Sequence, residues 1–295
     1  MTDIKIVTDS TAYLPPDLVD QYDIRVVPAK VHFGTVSYKE GIDLTNEQFW
    51  SRLSHANQLP TTSQPSVGDF LDVYDELARR GKSVLSIHIS SKISGTVSSA
   101  RTARSQLPNA QIDVIDSLST VMGLGMMTLA AARAVEKGHS LPEIKTRLAE
   151  LIQGMNVIFV VDTLEYLRKG GRIGGASALV GSLLNIKPIL YLVDGRIEVM
   201  AKTRTRGRAL RRLLELMEER VPMGTPAHVA VMHTQAAEEA LALKKEIQSG
   251  FNCEEVYFSE IGPSIGTHLG PGTVVLAFYS EQMPVKVSLC ENRAG

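Results

Sequence analysis

Apolar runs of strand length alternate with helical stretches through the first half of the chain. Nearly continuous runs rich in β-branched residues, typical of strands buried on both faces of a parallel sheet, occupy 4–8, 83–89, 112–115 and 157–161. Capping signals open the helical stretches between them, such as Thr45 with Gln48 and Ser140 with Glu143. The alternation predicts a parallel sheet covered by helices on both faces, which is a three-layer α/β arrangement.

The pattern changes near Gly154. Asp194-Gly195 separates the apolar runs 189–193 and 196–199, and this dipeptide predicts a tight antiparallel hairpin. Further strands are predicted in the apolar runs at 229–232, 256–258 and 274–278. We therefore expect two domains, an N-terminal α/β domain over 1–154 and a smaller α/β domain with a mixed sheet over 155–295.

Composition narrows the class of protein. The 295 residues are 44% hydrophobic and 21% charged, as in ordinary globular proteins, and the net charge of −1 gives no general attraction to nucleic acid or to an anionic membrane. Apolar stretches stop short of the roughly 20 residues that a membrane span requires, and the chain starts in a strand without a signal peptide. We expect a cytoplasmic protein. Cys253 and Cys290 match no metal or redox spacing and are expected to be free thiols.

Two turns rich in hydroxyl groups flank the predicted strand at 83–89. The first, PTTSQPS, contains Thr62, and the second, SSKISGT, contains Ser94 and Gly95. Small hydroxyls and free N–H groups at helix N-termini favour a negatively charged group such as a carboxylate. Ser and Thr are also the commonest helix caps, so each turn taken alone favours capping over anion binding.

Acidic residues with neighbouring hydroxyls close two of the predicted strands. Asp9 is followed by Ser10 and Thr11, and Asp116 is followed by Ser117. Ligands of parallel sheets gather at this edge, although Asp-Ser also forms ordinary turns. We expect Asp9 and Asp116 to orient other groups rather than to touch a ligand.

A segment rich in glycine and proline, IGPSIGTHLGPGT at 261–273, carries His268. Its composition predicts a rigid loop, and functional groups concentrate on positioned loops. We therefore interpret His268 as a histidine aimed at a ligand rather than one packed in the core.

Glycines and cations also cluster at 168–175, in the sequence RKGGRIGG. Paired glycines allow a close backbone approach to phosphate, but the segment matches neither the P-loop nor the dinucleotide fingerprint. A phosphate-binding, kinase-like or phosphatase-like domain is the weaker alternative here, because no metal-ligand set accompanies it.

A basic run follows the predicted hairpin and comprises Arg196, Lys202, Arg204, Arg206, Arg208, Arg211 and Arg212. Without interleaved aromatic residues it does not indicate nucleic-acid binding. A solvated helix face and a docking patch for an acidic protein both remain open.

Six motifs together resemble the DegV family, and the resemblance covers essentially the whole chain in order. They are DST at 9–11, TSQPS at 62–66, SGT at 94–96 with SSA at 98–100, the segment 159–171, LNIKPIL at 184–190 and HLGPG at 268–272. The resemblance implies two α/β domains that hold one long-chain fatty acid in a buried tunnel at their interface. It implies a lipid carrier without a metal or cofactor, not an enzyme acting alone.

The resemblance also implies roles for individual residues. Thr62, Ser94 and the Gly95 amide would bind the fatty-acid carboxylate, with His268 close by. Arg172 and Arg204 match surface arginines that meet a separate ATP-dependent fatty acid kinase, which makes acyl phosphate for phospholipid synthesis. A transient contact with a membrane is compatible with that role.

Two questions stay open from the residues alone. An apolar, methionine-rich segment around Gly123 and Gly125 could line the tunnel as a flexible, interrupted helix or pack as an ordinary core helix; its apolar residues are Met122, Leu124, Met126, Met127 and Leu129. The rival enzyme is a serine hydrolase of acyl esters that uses Ser94 and His268 with Asp116 or Asp9. Ser94 does not lie in a Gly-x-Ser-x-Gly elbow, so the sequence around this serine does not support a hydrolase.

Overall fold

The computed structural model describes residues 3–179 and 186–281. The strands in these ranges are β1 Ile4–Asp9, β2 Arg25–Val27, β3 Lys30–Phe33, β4 Val36–Lys39, β5 Thr61–Ser63, β6 Ser83–His88, β7 Ile112–Asp116, β8 Asn156–Val160, β9 Lys187–Val193, β10 Arg196–Thr203, β11 Ala227–Thr234, β12 Cys253–Glu260 and β13 Thr273–Ser280. The helices are α1 Pro16–Gln21, α2 Asn46–Ser54, α3 Val67–Arg79, α4 Thr96–Ser105, α5 Val121–Glu136, α6 Leu141–Gly154, α7 Glu165–Lys169, α8 Arg206–Glu218, α9 Ala237–Gly250 and α10 Pro263–Leu269. Residues 184 and 185 of the LNIKPIL motif, and Cys290, lie outside the described ranges.

The strands form a parallel sheet and a mixed sheet, which confirms the predicted α/β fold class. The parallel sheet has the order β2-β1-β6-β7, with α3 and α4 packed on one face and α5 on the other. The mixed sheet has the order β10-β9-β8-β13-β11-β12. Among its described strands, β11 and β12 pair in parallel and the other neighbours pair antiparallel. The hairpin at Asp194 and Gly195 is present, with both residues at positive φ as a two-residue turn of this kind requires.

A third sheet, β4-β3-β5, is antiparallel and was not predicted from the sequence. Its strands have only three or four residues, which is too short for a periodic pattern to identify. With α2 it forms a small unit over residues 30–63, which we call the α2 module. A separate apolar cluster of Val31, Leu44, Phe49, Trp50 and Leu53 fills the module.

Helix α5 lies between the parallel and mixed sheets, since it contacts β1 and β6 on one side and β11 and β13 on the other. Its glycines allow close packing rather than an interruption: a Cβ on Gly125 would lie 2.6 Å from the Ala12 carbonyl oxygen. The helix is therefore continuous, and its methionines belong to one hydrophobic cluster that spans both sheets. All strands of the mixed sheet come after residue 155, but the hydrophobic cluster contains residues from both sides of this position. The domain boundary at 154/155 therefore stays a prediction.

None of the described helices is long and apolar enough to cross a membrane.

Candidate functional site

A cavity lies between the parallel and mixed sheets. It encloses about 810 Å³ when the solvent space at its mouth is included. Its apolar wall combines Ile89 and Ile93 with residues of the mixed sheet, namely Val157, Phe159, Leu192, Ile197 and Val275. Helix α5 contributes Val121 to the wall, whereas Met122, Leu124, Met126, Met127 and Leu129 pack in the core instead. Polar side chains of the wall include Thr62, Ser94, Arg172, Ser264 and His268.

Thr62 and His268 meet in this wall. Thr62 lies on β5 of the α2 module, and its Oγ1 atom is 2.8 Å from Nε2 of His268. The second ring nitrogen, Nδ1, is buried and has no hydrogen-bond partner among the described residues. Burial and the positive charge of Arg172 lower the pKa of His268 to about 4, so the imidazole is neutral near pH 7.

Gly170 allows the imidazole of His268 to pack against the backbone. A Cβ at this position would overlap Nδ1 of His268, because the backbone of the α7 C-terminus passes directly beside the ring. The function of this glycine is therefore steric, at the point where α7 and α10 touch.

The position of His268 differs from the sequence prediction, because it lies on helix α10 and not in a loop. Pro263 at the first helical position and Gly270 at a φ of 72° after the last one are ordinary start and stop signals. The high glycine content of the segment is typical of a loop, and for this reason the seven-residue helix was not predicted. Ser264 lies one turn before His268, lines the same cavity and has a buried Oγ. Sequence reasoning missed Ser264, although its spacing of four residues from His268 was the available signal.

Ser94 also lies in the cavity wall, just before helix α4. Its Oγ is 2.8 Å from the Thr96 hydroxyl and accepts the N–H of Thr96, the first residue of α4, at 3.3 Å. Gly95 contributes no atom to the wall but separates two residues that do. A Cβ on Gly95 would lie 2.6 Å from Nε2 of Gln64, so glycine here permits the two hydroxyl-rich turns to approach.

The two candidate docking arginines occupy different environments. Arg172, expected on the surface, is half-buried in the cavity wall, where its Nε donates to the Ile93 carbonyl at 3.1 Å and its Nη1 to the Gly170 carbonyl at 2.6 Å. Arg204 is exposed in the turn between β10 and α8, and no described residue forms an ion pair or hydrogen bond with its side chain. The structure therefore brings Arg172, but not Arg204, to the cavity.

The acidic residues at the strand ends organise the backbone around the cavity. Asp9 accepts the N–H of Thr11 at 3.2 Å and that of Ile89 at 3.1 Å, and both of these residues line the wall. Asp116 accepts the N–H groups of Ser91 and Leu118, each at 3.1 Å. Both carboxylates thus hold loops in place, in agreement with the expectation that they orient other groups.

The contacts of Ser94 and His268 do not support the hydrolase alternative, because they bond to Thr96 and Thr62 rather than to each other. A serine, histidine and aspartate chain does occur elsewhere. Ser86 Oγ lies 2.6 Å from His88 Nε2, whose ring also contacts Asp9 at 3.0 Å through Nδ1. Ser86 and His88 have no exposed surface, so no ester could reach this serine.

The glycine cluster at 170–175 does not form a phosphate cradle. Gly174 and Gly175 pack tightly on β10, where a Cβ would overlap the Ile197 carbonyl and the Glu198 carboxylate respectively. A carboxylate beside the loop would repel a phosphate. Across residues 3–179 and 186–281, no group of three or more His, Cys, Asp or Glu side chains could hold a metal ion.

Comparisons with known proteins agree on one family. Residues 3–281 match the model of a family described as "Uncharacterised protein, DegV family". A DegV domain-containing protein from Halalkalibacterium halodurans is 41% identical over 283 residues, which is 96% of this chain and all of the relative. A fatty-acid-binding DegV family protein from Thermus thermophilus superposes with a TM-score of 0.89 at 37% identity, covering 95% of this chain and 100% of that one. DegV of Bacillus subtilis, described as a fatty acid binding protein, gives a TM-score of 0.88 at 38% identity with the same coverage.

Proposed function

The chain belongs to the DegV family, and we propose that it binds one long-chain fatty acid in the cavity between its parallel and mixed sheets. The observation that carries this proposal is the composition of the wall. Aliphatic and aromatic side chains of the mixed sheet, together with Ile89 and Ile93 beyond the end of β6, form its apolar part. Neutral hydroxyls, the Gln64 amide, one imidazole and one guanidinium form its polar part. An acyl chain fits the first part and a carboxylate fits the second. The fatty-acid-binding relatives from Thermus thermophilus and Bacillus subtilis support the same ligand class.

Burial of the acyl chain supplies the affinity in this proposal. Each buried methylene contributes about 0.8 kcal/mol, so about fifteen of them contribute on the order of 12 kcal/mol before the cost of association. The polar groups then orient the ligand, because they bind its carboxylate end rather than its apolar end. A ligand of equal length without a carboxylate would retain most of the apolar contribution but lose this orientation.

Thr62 and Ser94, which line the cavity, are the proposed carboxylate ligands, with the Gly95 amide between the wall residues Ser94 and Thr96 as a third. His268 lies beside them and orients the Thr62 hydroxyl. A neutral imidazole has one N–H, and a buried N–H without a partner costs more than a free lone pair. The proton therefore belongs on Nε2, where it is donated to Thr62 Oγ1, and the Thr62 hydroxyl hydrogen is free to be donated to the carboxylate. Arg172 supplies the nearby positive charge that a buried carboxylate requires.

The finer proposal is that the bound carboxylate is presented to a separate ATP-dependent fatty acid kinase. A carboxylate oxygen would attack the terminal phosphoryl group of ATP, form the acyl phosphate and release ADP. In the described part of this chain, the glycine cluster that most resembles a phosphate loop is packed against Glu198, so the ATP site is assigned to the partner. Arg204 is exposed and has no ion-pair partner in the part of the chain that the structure describes, so it is a suitable contact for an acidic surface on that kinase. The chain acts as a carrier and is not catalytic alone.

Denaturing mass spectrometry of the protein purified without added lipid tests the proposal. We expect about one fatty acid per chain, and we expect the purified protein to hydrolyse neither acyl esters nor thioesters. A protein that contains no fatty acid and takes up none from oleate would contradict fatty-acid binding. Ester hydrolysis that is lost in His268→Ala would instead favour the hydrolase.

A further inference from the structure

Glu40 is a buried carboxylate that the proposed function leaves unused. It follows β4 in the α2 module and is only 5% exposed. Its Oε2 accepts from the Ser10 hydroxyl at 2.5 Å, and its Oε1 accepts from the Tyr13 hydroxyl at 3.0 Å and from the Ser264 N–H at 2.7 Å. No Lys, Arg or His within the described ranges forms an ion pair with it. A buried carboxylate with only neutral partners is costly, so its contacts require an explanation.

The contacts of Glu40 converge on the beginning of helix α10. The first N–H groups of a helix have no partner within the helix and need one from outside. Ser264 N–H donates to Glu40, and Ile265 N–H donates to the Tyr13 hydroxyl at 3.2 Å, which in turn donates to Glu40. The residue that would normally supply the cap is Gly262, which has no side chain to do so.

Gly262 is also required by this arrangement. A Cβ at this position would lie 2.8 Å from Glu40 Oε1 and 2.6 Å from Cε1 of Tyr13. Glycine therefore allows the carboxylate and the tyrosine to reach the helix N-terminus together. The cap comes from residues more than 220 positions earlier in the chain, so it joins the α2 module and the first strand region to α10.

Helix α10 has only seven residues, and a helix this short is not stable by itself in water. Its orientation thus depends on the groups that hold it. Ser264 and His268, one turn apart, are on this helix and line the cavity. A charge-assisted hydrogen bond of 2.7 Å at the Ser264 N–H also interacts favourably with the positive end of the helix dipole.

We propose that Glu40 is a positioning residue which, by capping α10, directs Ser264 and His268 toward the carboxylate of a bound fatty acid. This inference rests on the proposed function. It predicts that Glu40 affects recognition of the carboxylate and leaves affinity for the apolar tail largely intact.

The experiment compares Glu40→Ala, Glu40→Gln and Tyr13→Phe with Glu76→Gln, a matched control at a surface glutamate paired with Arg25. Affinities are measured for oleate and for oleyl alcohol, which has the same tail without a carboxylate. The preference for oleate should fall roughly tenfold in Glu40→Ala, with little change for the alcohol. Glu40→Gln keeps an oxygen for the Ser264 N–H and should retain most of the preference, Tyr13→Phe should fall between them, and Glu76→Gln should match the wild type.

A second measurement does not depend on fatty-acid binding. The imidazole ¹⁵N signals of His268 in lipid-free protein report the position of the ring, and they should shift in Glu40→Ala and return toward wild type in Glu40→Gln. An unchanged oleate preference in Glu40→Ala, with unchanged His268 signals, would overturn the role of Glu40. If Glu40→Ala does not fold, Glu40→Gln and Tyr13→Phe decide the question. An equal loss of affinity for oleate and for oleyl alcohol in these two variants would overturn the role of Glu40. A wild type without any oleate preference would instead overturn the proposed carboxylate site, whatever the His268 signals show.

Discussion

The hydroxyl of Thr62 and the imidazole of His268 are 206 residues apart in the chain and lie 2.8 Å apart in the structure. One belongs to a three-residue strand and the other to a seven-residue helix. Their hydrogen bond fixes the direction in which the Thr62 hydroxyl can donate to a third group. The proposed carboxylate site therefore depends on how the α2 module and α10 are held together.

The double variant Thr62→Val with Ser94→Ala should retain less fatty acid and present it poorly to the kinase. Each change removes a hydrogen bond to a charged acceptor, which is worth about 1.5 to 3 kcal/mol. Thr61→Val is the matched control, because Thr61 is on the same strand but exposed. Fatty-acid dissociation constants and acyl phosphate formation provide the readout. Wild-type values for both in the double variant would remove these residues from the site.

Gly170→Ala should displace the His268 ring, because the new Cβ would overlap Nδ1. We expect a loss of oleate affinity comparable to that of His268→Ala, measured by displacement of a fluorescent fatty acid. Gly207→Ala, where nothing lies within 4 Å of the new Cβ, should bind normally. Equal behaviour of the two alanine variants would contradict the close packing of α7 against His268.

The pH dependence of stability should contain a contribution from His268. Its pKa is about 4 in the folded protein against 6.5 as the ordinary value, so the unfolded chain binds more protons between these pH values. The free energy of unfolding therefore falls as the pH drops from 6.5 toward 4, by up to about 3 kcal/mol from this group. Urea titrations of wild type, His268→Gln and His55→Gln test this, because only His268→Gln should flatten the curve.

Loading with oleate should raise the pKa of His268, because a carboxylate beside the ring favours its charged form. NMR titration of the loaded and lipid-free proteins measures the difference directly. Identical titration curves would mean that the carboxylate lies elsewhere.

Much of the fold was predictable because its long strands are nearly continuous apolar runs, and the Asp194-Gly195 turn has a specific signature. The short strand that carries Thr62 and the helix that carries His268 were not predictable. Segments of three to seven residues are too short to show a periodic pattern, and their glycine and hydroxyl residues are typical of turns. The assignment of Thr62, Ser94 and His268 to a carboxylate came from the family resemblance, and it stays a prediction. The half-buried position of Arg172 and the participation of Ser264 arise from long-range packing, which local pattern does not encode.

Charge reversal should separate the two arginines. Arg204→Glu should weaken kinase binding in a manner sensitive to salt while lipid content stays at the wild-type level, because Arg204 is exposed and outside the cavity wall. Arg172→Glu should lower lipid content as well, because it places a second negative charge in the wall. Lys245→Glu, an exposed position on α9 with the same change in charge, is the control. Normal kinase coupling of Arg204→Glu at low salt would count against docking through this residue.

The ion pair between Arg133 of α5 and Glu255 of β12 should increase the free energy of unfolding. Two hydrogen bonds of 3.1 and 2.7 Å join them, and although burial would raise the pKa of Glu255, bonds from His228, Arg133 and Tyr257 hold it at about 2. Arg133→Ala leaves the partly buried carboxylate with only His228 and Tyr257 as partners. The free energy of unfolding should fall by about 1 to 3 kcal/mol, measured by urea unfolding. The loss should diminish as the pH falls from about 4.5 toward 2, where the carboxylate becomes protonated. A cost that stays constant with pH would show that Arg133 acts through packing instead.

Because the cavity wall combines residues as distant in the chain as Thr11 and Val275, it exists only in the assembled fold, and an unfolded chain offers no equivalent surface. A bound fatty acid therefore adds to the unfolding free energy, by about 2.7 kcal/mol when free ligand is at one hundred times its dissociation constant. Thermal midpoints would then rise with lipid concentration. In a cell where unfolded chains are degraded, the amount of this protein would itself follow the supply of fatty acid.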